Sequence, residues 1–128
     1  METKAVAPFT IETWEEDACD ERSGARLMRT RITKTFTGDF AGTSEAFTVM
    51  CHAAVQESSA YVGFERFLGS LHGRSGTFVL HHTASGAGAS WTVVPDTGTG
   101  ELTGIRGTAD ISIAEGGAHT LTLRYELG

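Results

Sequence analysis

An acid, a base and a cation stand close together in one short run of this chain. Between Tyr61 and His82, the stretch YVGFERFLGSLHGRSGTFVLHH sets Glu65, Arg66 and His82 among apolar side chains. A carboxylate or imidazole held in an apolar pocket has its pKa displaced by desolvation, which tunes a general acid or base for work near neutral pH. An arginine beside it would grip a carboxylate or enolate oxygen through two parallel hydrogen bonds. Glu65 and His82 are therefore the candidate proton carriers, and Arg66 the candidate group for polarising an oxygen. Tyr61, Phe64, Phe78, Leu80 and Trp91 are the candidate wall of a binding pocket. The competing reading puts Glu65 and Arg66 on opposite sides of a strand, one in surface ion pairs and the other satisfied by backbone carbonyls.

Two strands have to position these groups. Tyr61, Gly63, Glu65 and Phe67 alternate with Val62, Phe64, Arg66 and Leu68; Phe78, Leu80 and His82 alternate with Val79 and His81. That period of two is the mark of extended chain, and His72-Gly73 marks the turn between the strands. A three-residue loop would align Phe64 with His82 and Arg66 with Leu80. A two-residue loop moves the register by one, so that Glu65 joins Leu80 and His82, because a single-residue slip exchanges the faces of a sheet. Either register gives His82 an ionisable neighbour.

Other chemistry is weakly signalled. The five histidines, His52, His72, His81, His82 and His119, are spread over strand ends, turns and opposite strand faces, so no metal site is expected. Gly73-Arg74-Ser75-Gly76 and Gly98-Thr99-Gly100 do not lead from a strand into a long helix, as phosphate-binding loops do, and read as turns. There is no GxSxG nucleophile elbow. Cys19 and Cys51 lack CxxC spacing and read as reduced thiols.

The rest of the chain predicts a sheet. Sixteen glycines and two prolines in 128 residues favour short strands and tight turns, and the length suits one domain over 1–128. Phe9, Ile11 and Thr13 alternate with Thr10, Glu12 and Trp14 in a first strand running from Ala5 to Trp14. Asp17 to Gly24 is a polar hairpin tip. Arg26 to Phe40 is the second strand, with Met28, Ile32, Phe36 and Phe40 toward the core. Lys34 shares that parity and is expected to carry its ammonium to the barrel rim, while Arg29 and Arg31 pair with acids such as Glu12. Glu45, Phe47, Val49 and Cys51 share one face of a third strand, with Glu45 wet at its open end. Ser90 to Val94, Thr108 to Ile113 and His119 to Leu127 complete the set. One short helical turn is predicted near 99–106, capped by Thr99. Eight strands in successive hairpins predict an all-β, antiparallel up-and-down barrel, with a two-sheet sandwich as the alternative.

A net charge of −6 opposes binding to nucleic acid and to anionic membrane surfaces. The N-terminal residues lack a basic region followed by an apolar core, and no window approaches the ~20 apolar residues of a spanning helix. A cytoplasmic protein is expected.

The runs GFERFLGSLHGRSGTFVLHH and WTVVPDTGTGELTGIRG, with FTIETWEE and TKTFTGDFAGTSEA, resemble a bacterial family catalogued as domain of unknown function 3224. The likeness covers nearly the whole chain. It departs at His81, where the family's FVLQH run has glutamine, and at Cys19, where an aromatic is common. GTGELTGIRG is also similar to the GTGxFxxARG-type element of dirigent proteins and plant allene oxide cyclases. That resemblance implies an allene oxide cyclase-like eight-stranded barrel whose apolar cavity guides cyclisation or coupling of a flexible molecule without a cofactor. The expected function is binding of a small apolar, polyketide-like or oxylipin-like molecule, with cofactor-free cyclisation or isomerisation as the expected reaction. A non-catalytic carrier and a dimeric structural barrel are the alternatives.

Overall fold

The computed structural model describes residues 2–128. Its strands are β1 (Thr3–Asp20), β2 (Ala25–Phe36), β3 (Phe40–Ala53), β4 (Ala60–Leu71), β5 (Arg74–Ser85), β6 (Gly88–Val93), β7 (Ile105–Ile113) and β8 (His119–Leu127). They form a closed barrel in sequence order, each antiparallel to the next. The seam between β8 and β1 runs from Thr3 opposite Tyr125 to Phe9 opposite His119. Closure leaves no edges along the barrel wall itself.

Aromatic residues fill one half of the interior. Phe36, Phe40, Phe67 and Phe78 are buried and touch in tilted, edge-on and stacked pairs, with Phe67 and Phe78 stacked at 4.9 Å between centroids. Each such ring contributes about 1.5–3 kcal/mol by leaving water. The predicted helical turn is a single 3-10 turn, Gly100–Leu102, which drives a fully buried Leu102 into the same core. Thr99 precedes it without a side-chain cap; its hydroxyl instead accepts the Thr77 backbone N–H at 3.1 Å, fastening the turn to β5. A second 3-10 turn spans Gln56–Ser58.

Several local expectations change. β1 continues to Asp20, so Asp17 to Asp20 are strand and the turn is confined to residues 21–24. Beyond Phe9, β1 pairs only with β2, leaving an exposed arm whose Glu12, Glu15, Glu16 and Asp17 discourage further edge pairing. A bulge between Ile11 and Thr13 reverses the arm's alternation and puts Trp14 opposite Ile32. β2 ends at Phe36, and Phe40 opens β3. Register places Asp17 across from Arg29 and Glu15 across from Arg31, not Glu12; Arg31 pairs with Glu15 and Glu45 on the outer wall. Lys34 does not reach the rim. Its side chain is buried inside the barrel, because a carboxylate awaits it there.

Candidate functional site

The turn between β4 and β5 decides which groups face inward. Its two residues, His72 and Gly73, have φ of 48° and 81°, the paired left-handed geometry of a tight hairpin. Glycine adopts it without penalty, and histidine is among the residues that tolerate it. With a two-residue loop, Glu65 lies opposite Leu80 and Gly63 opposite His82, so Glu65 and His82 face the interior. Phe64 and Arg66 face the solvent, which removes Arg66 from any interior chemistry and Phe64 from the pocket wall. Phe78 and Leu80 do point inward, but as parts of the packed core.

Glu65 is the centre of a buried polar layer. Its Oε1 lies 3.2 Å from Lys34 Nζ and 2.8 Å from His82 Nε2, and Oε2 accepts the Ser44 hydroxyl. Lys34 comes from β2, Ser44 from β3 and His82 from β5, so the carboxylate ties together the interior faces of four strands. The Lys34 ammonium also stands 4.9 Å from the centre of the Phe9 ring, a cation–π contact. The His82 contact is close but bent: the ring N–H at Nε2 does not point at a well-placed acceptor. At 2.8 Å the imidazole and carboxylate remain strongly coupled.

These neighbours set the ionisation state. Burial alone would raise the Glu65 carboxyl, but the His82 contact, the Lys34 and His82 charges and the Ser44 hydroxyl together outweigh it, and the group is held below the usual carboxylate range. Glu65 is therefore an anion held by the Lys34 and Ser44 donors with His82 beside it, a poor base and a firm anchor. On the other side of His82, Tyr61 Oη lies 3.4 Å from Nδ1 and accepts the Trp91 indole N–H at 3.0 Å. Burial raises the Tyr61 phenol, offset in part by the Trp91 bond and reinforced by the Glu65 charge. The phenol keeps its proton at neutral pH. With its oxygen occupied by Trp91 as donor, its hydrogen is free to point at His82 Nδ1 or at a bound molecule. In the neutral ring that arrangement makes Nδ1 an acceptor and puts the imidazole proton on the Glu65 side, whereas the charged ring that lowers the Glu65 carboxyl donates from both nitrogens.

Above this layer lies a cavity of about 170 Å³. Glu65, His82, Lys34 and Tyr61 are its polar lining, and Phe9, Ile32, Met50 and Ile111 give it apolar walls. Ile11 and the half-exposed Trp14 stand at its border. Gly63 lets β3 approach β4 beside this layer: a Cβ there would come within 2.3 Å of the Phe47 carbonyl oxygen and 2.7 Å of Thr48 Cγ2. A volume near 150 Å³ suits a benzene-sized molecule, well below the ~300 Å³ at which drug-sized pockets begin. Among the described residues, no three His, Cys, Asp or Glu side chains converge as a metal-ligand set.

The structure thus brings together Glu65 and His82 with Tyr61 and Trp91, and separates Arg66 and Phe64 from them. Lys34, Ser44 and Trp14 are participants the sequence did not single out. The parity of Lys34 with Ile32 and Phe36 was the available signal for the first. Nothing in the sequence marks Ser44, and the bulge hides Trp14.

Comparison with known proteins agrees with this architecture. A family described as protein of unknown function (DUF3224) matches residues 5–125. A crystal structure of a protein of unknown function from the DUF3224 family, from Shewanella oneidensis MR-1, is 33% identical, with a TM-score of 0.92 over 100% of this chain and 99% of that one. No curated protein matches the chain. The chain belongs to the DUF3224 family.

Proposed function

We propose that this member of the DUF3224 family binds a small, largely apolar, uncharged molecule carrying one hydrogen-bonding oxygen. The observation that carries this reading is the cavity of about 170 Å³, apolar on most of its wall and bordered by Tyr61 and His82. Burial of an apolar ligand body supplies affinity, and a few convergent polar groups supply orientation. The Tyr61 hydroxyl is a donor for a ligand carbonyl or hydroxyl oxygen. An anionic ligand is disfavoured, because the Glu65 carboxylate stands behind His82 and Lys34 already neutralises it. A polyketide-like or oxylipin-like molecule would place only one end in the cavity and extend past Trp14.

The test is a thermal-shift and ligand-observed NMR screen of small aromatic alcohols, ketones and ethers against the native protein and Ala46→Leu. Ala46 is buried on the cavity wall, so the larger side chain fills the space. Binding to the native protein and its loss in Ala46→Leu are expected. Failure of every compound, or equal binding to both proteins, sinks the proposal.

One observation favours a second, catalytic reading. His82 has a carboxylate at Nε2 and a protonated phenol near Nδ1, the arrangement of a base oriented by a buried anion. In a cofactor-free isomerisation, His82 Nδ1 would remove a proton from carbon while Tyr61 hydrogen-bonds the developing enolate oxygen, and the imidazolium would return that proton to a different carbon, which restores the base. Shape would supply the rest by holding one reactive conformer. His82→Gln would then abolish product formation from a bound ligand while binding persists. A ligand returned unchanged by the native protein leaves the barrel a carrier.

A further inference from the structure

The middle of β3 and β4 is unusually polar inside and apolar outside. Phe40, Ala46, Phe67 and Leu71 still face the core, but Ser44, Thr48 and Glu65 are buried beside them, while outside stand Phe47, Val49, Val62 and Phe64, each about half exposed (51%, 46%, 46% and 51%). Leu68 continues the outer stripe at 46% exposure. Between Arg29 and Arg31 on one side and Phe64 on the other lies a shallow depression of about 470 Å³. It is larger than the interior cavity, but its charged groups, Glu15 and Asp17 of β1 with Arg29 and Arg31 of β2, stand across from one another on the exposed outer wall, so it reads as a contact surface. The stripe is one-sided: outward positions of β7 and β8 carry Arg106, Asp110 and Arg124, unlike the continuous apolar band of a membrane barrel.

We infer that two copies of this chain associate face to face through the outer surfaces of β3 and β4. The strand register makes this face self-complementary. Across these two strands Glu45 stands opposite Arg66, Phe47 opposite Phe64, and Val49 opposite Val62. A two-fold axis lying in the interface and running between β3 and β4 exchanges the two members of each pair. Each residue of one copy then meets the complementary type on the other: Glu45 meets Arg66, aromatic meets aromatic, and valine meets valine. A closed isologous contact requires this self-complementarity. Among the described residues no side-chain hydrogen bond or ion pair engages the Arg66 guanidinium, whereas Glu45 is bound on one side by Arg31. The partner copy's Arg66 would complete that carboxylate's surroundings. Because both walls are convex, the contact falls below the ~800 Å² per partner of a standard interface, and association is expected in the micromolar range.

Sedimentation velocity over a concentration series tests this on the full chain. The expected result is a monomer–dimer equilibrium that Phe64→Asp and Arg66→Glu each weaken by at least about 30-fold. Lys4→Glu, on the exposed face of β1, should leave it unchanged. All three side chains point to solvent, so the variants should fold, and circular dichroism confirms it. A native chain that stays monomeric throughout overturns the inference and leaves the stripe to a partner of different sequence. A dimer indifferent to both Phe64→Asp and Arg66→Glu also overturns it, since association then uses another face.

Discussion

Glu65 and His82 project from neighbouring strands with Oε1 and Nε2 2.8 Å apart, and each is at least nine-tenths withdrawn from water. Removing one partner from such a buried cluster leaves the others desolvated and uncompensated, at a cost of about 3–5 kcal/mol. Glu65→Ala should fall in that range by urea denaturation. The double variant Lys34→Met, Glu65→Leu should recover much of the loss, because it removes both ends of the ion pair together. A loss under ~1 kcal/mol in Glu65→Ala would mean that the carboxylate anchors nothing.

Stability should depend on acid through the same group. Since the folded state depresses the Glu65 pKa, the unfolded chain binds its proton first as pH falls. The stabilisation is fully present above the unfolded carboxylate range and is lost as pH drops through the folded value. Thermal midpoints should therefore fall below about pH 4.5 more steeply in the native protein than in the Lys34→Met, Glu65→Leu variant. Parallel curves for the two would refute this assignment.

Both tyrosines of the chain should ionise late. Burial raises Tyr61, and it also raises Tyr125, where nearby Arg74 opposes and Asp39 reinforces the shift. The folded protein keeps these protons longer than the unfolded chain, so the associated stability is present below about pH 10 and declines as pH rises past it. A spectrophotometric titration should show little phenolate absorbance at pH 10. Appearance of one full phenolate below that pH would contradict the protonated Tyr61 on which ligand orientation rests.

The fold was legible because its signals are local. Alternation in Arg26–Phe36, turn residues at His72-Gly73 and the glycines of GTGELTG each act over a few positions, and together they specify strands, hairpins and a 3-10 turn. The site was half legible for the same reason. Glu65 and His82 lie on one hairpin, so the length of a single loop decides their meeting. Lys34 reaches Glu65 from β2 across the barrel interior, 31 residues away, and that encounter depends on closure of the whole sheet. Trp14 depends on a bulge, which inserts one residue and reverses parity without a sequence mark.

Gly63 offers the sharpest check on how the site is built. It pairs with Thr48 on β3 and His82 on β5, so the three strands pass closely at the wall of the cavity. A methyl group in Gly63→Ala would lie 2.3 Å from the Phe47 carbonyl oxygen, and a backbone atom in a central ladder cannot move aside cheaply. Overpacking of this kind costs about 1–3 kcal/mol. Because β3 and β4 must separate to admit the methyl, Glu65 two residues on would lose its setting against Ser44, and ligand binding should weaken along with stability. Urea denaturation and the same thermal-shift screen read both effects. If Gly63→Ala keeps its stability within ~0.5 kcal/mol and binds as the native protein does, the close approach of β3 and β4 does not hold the site together.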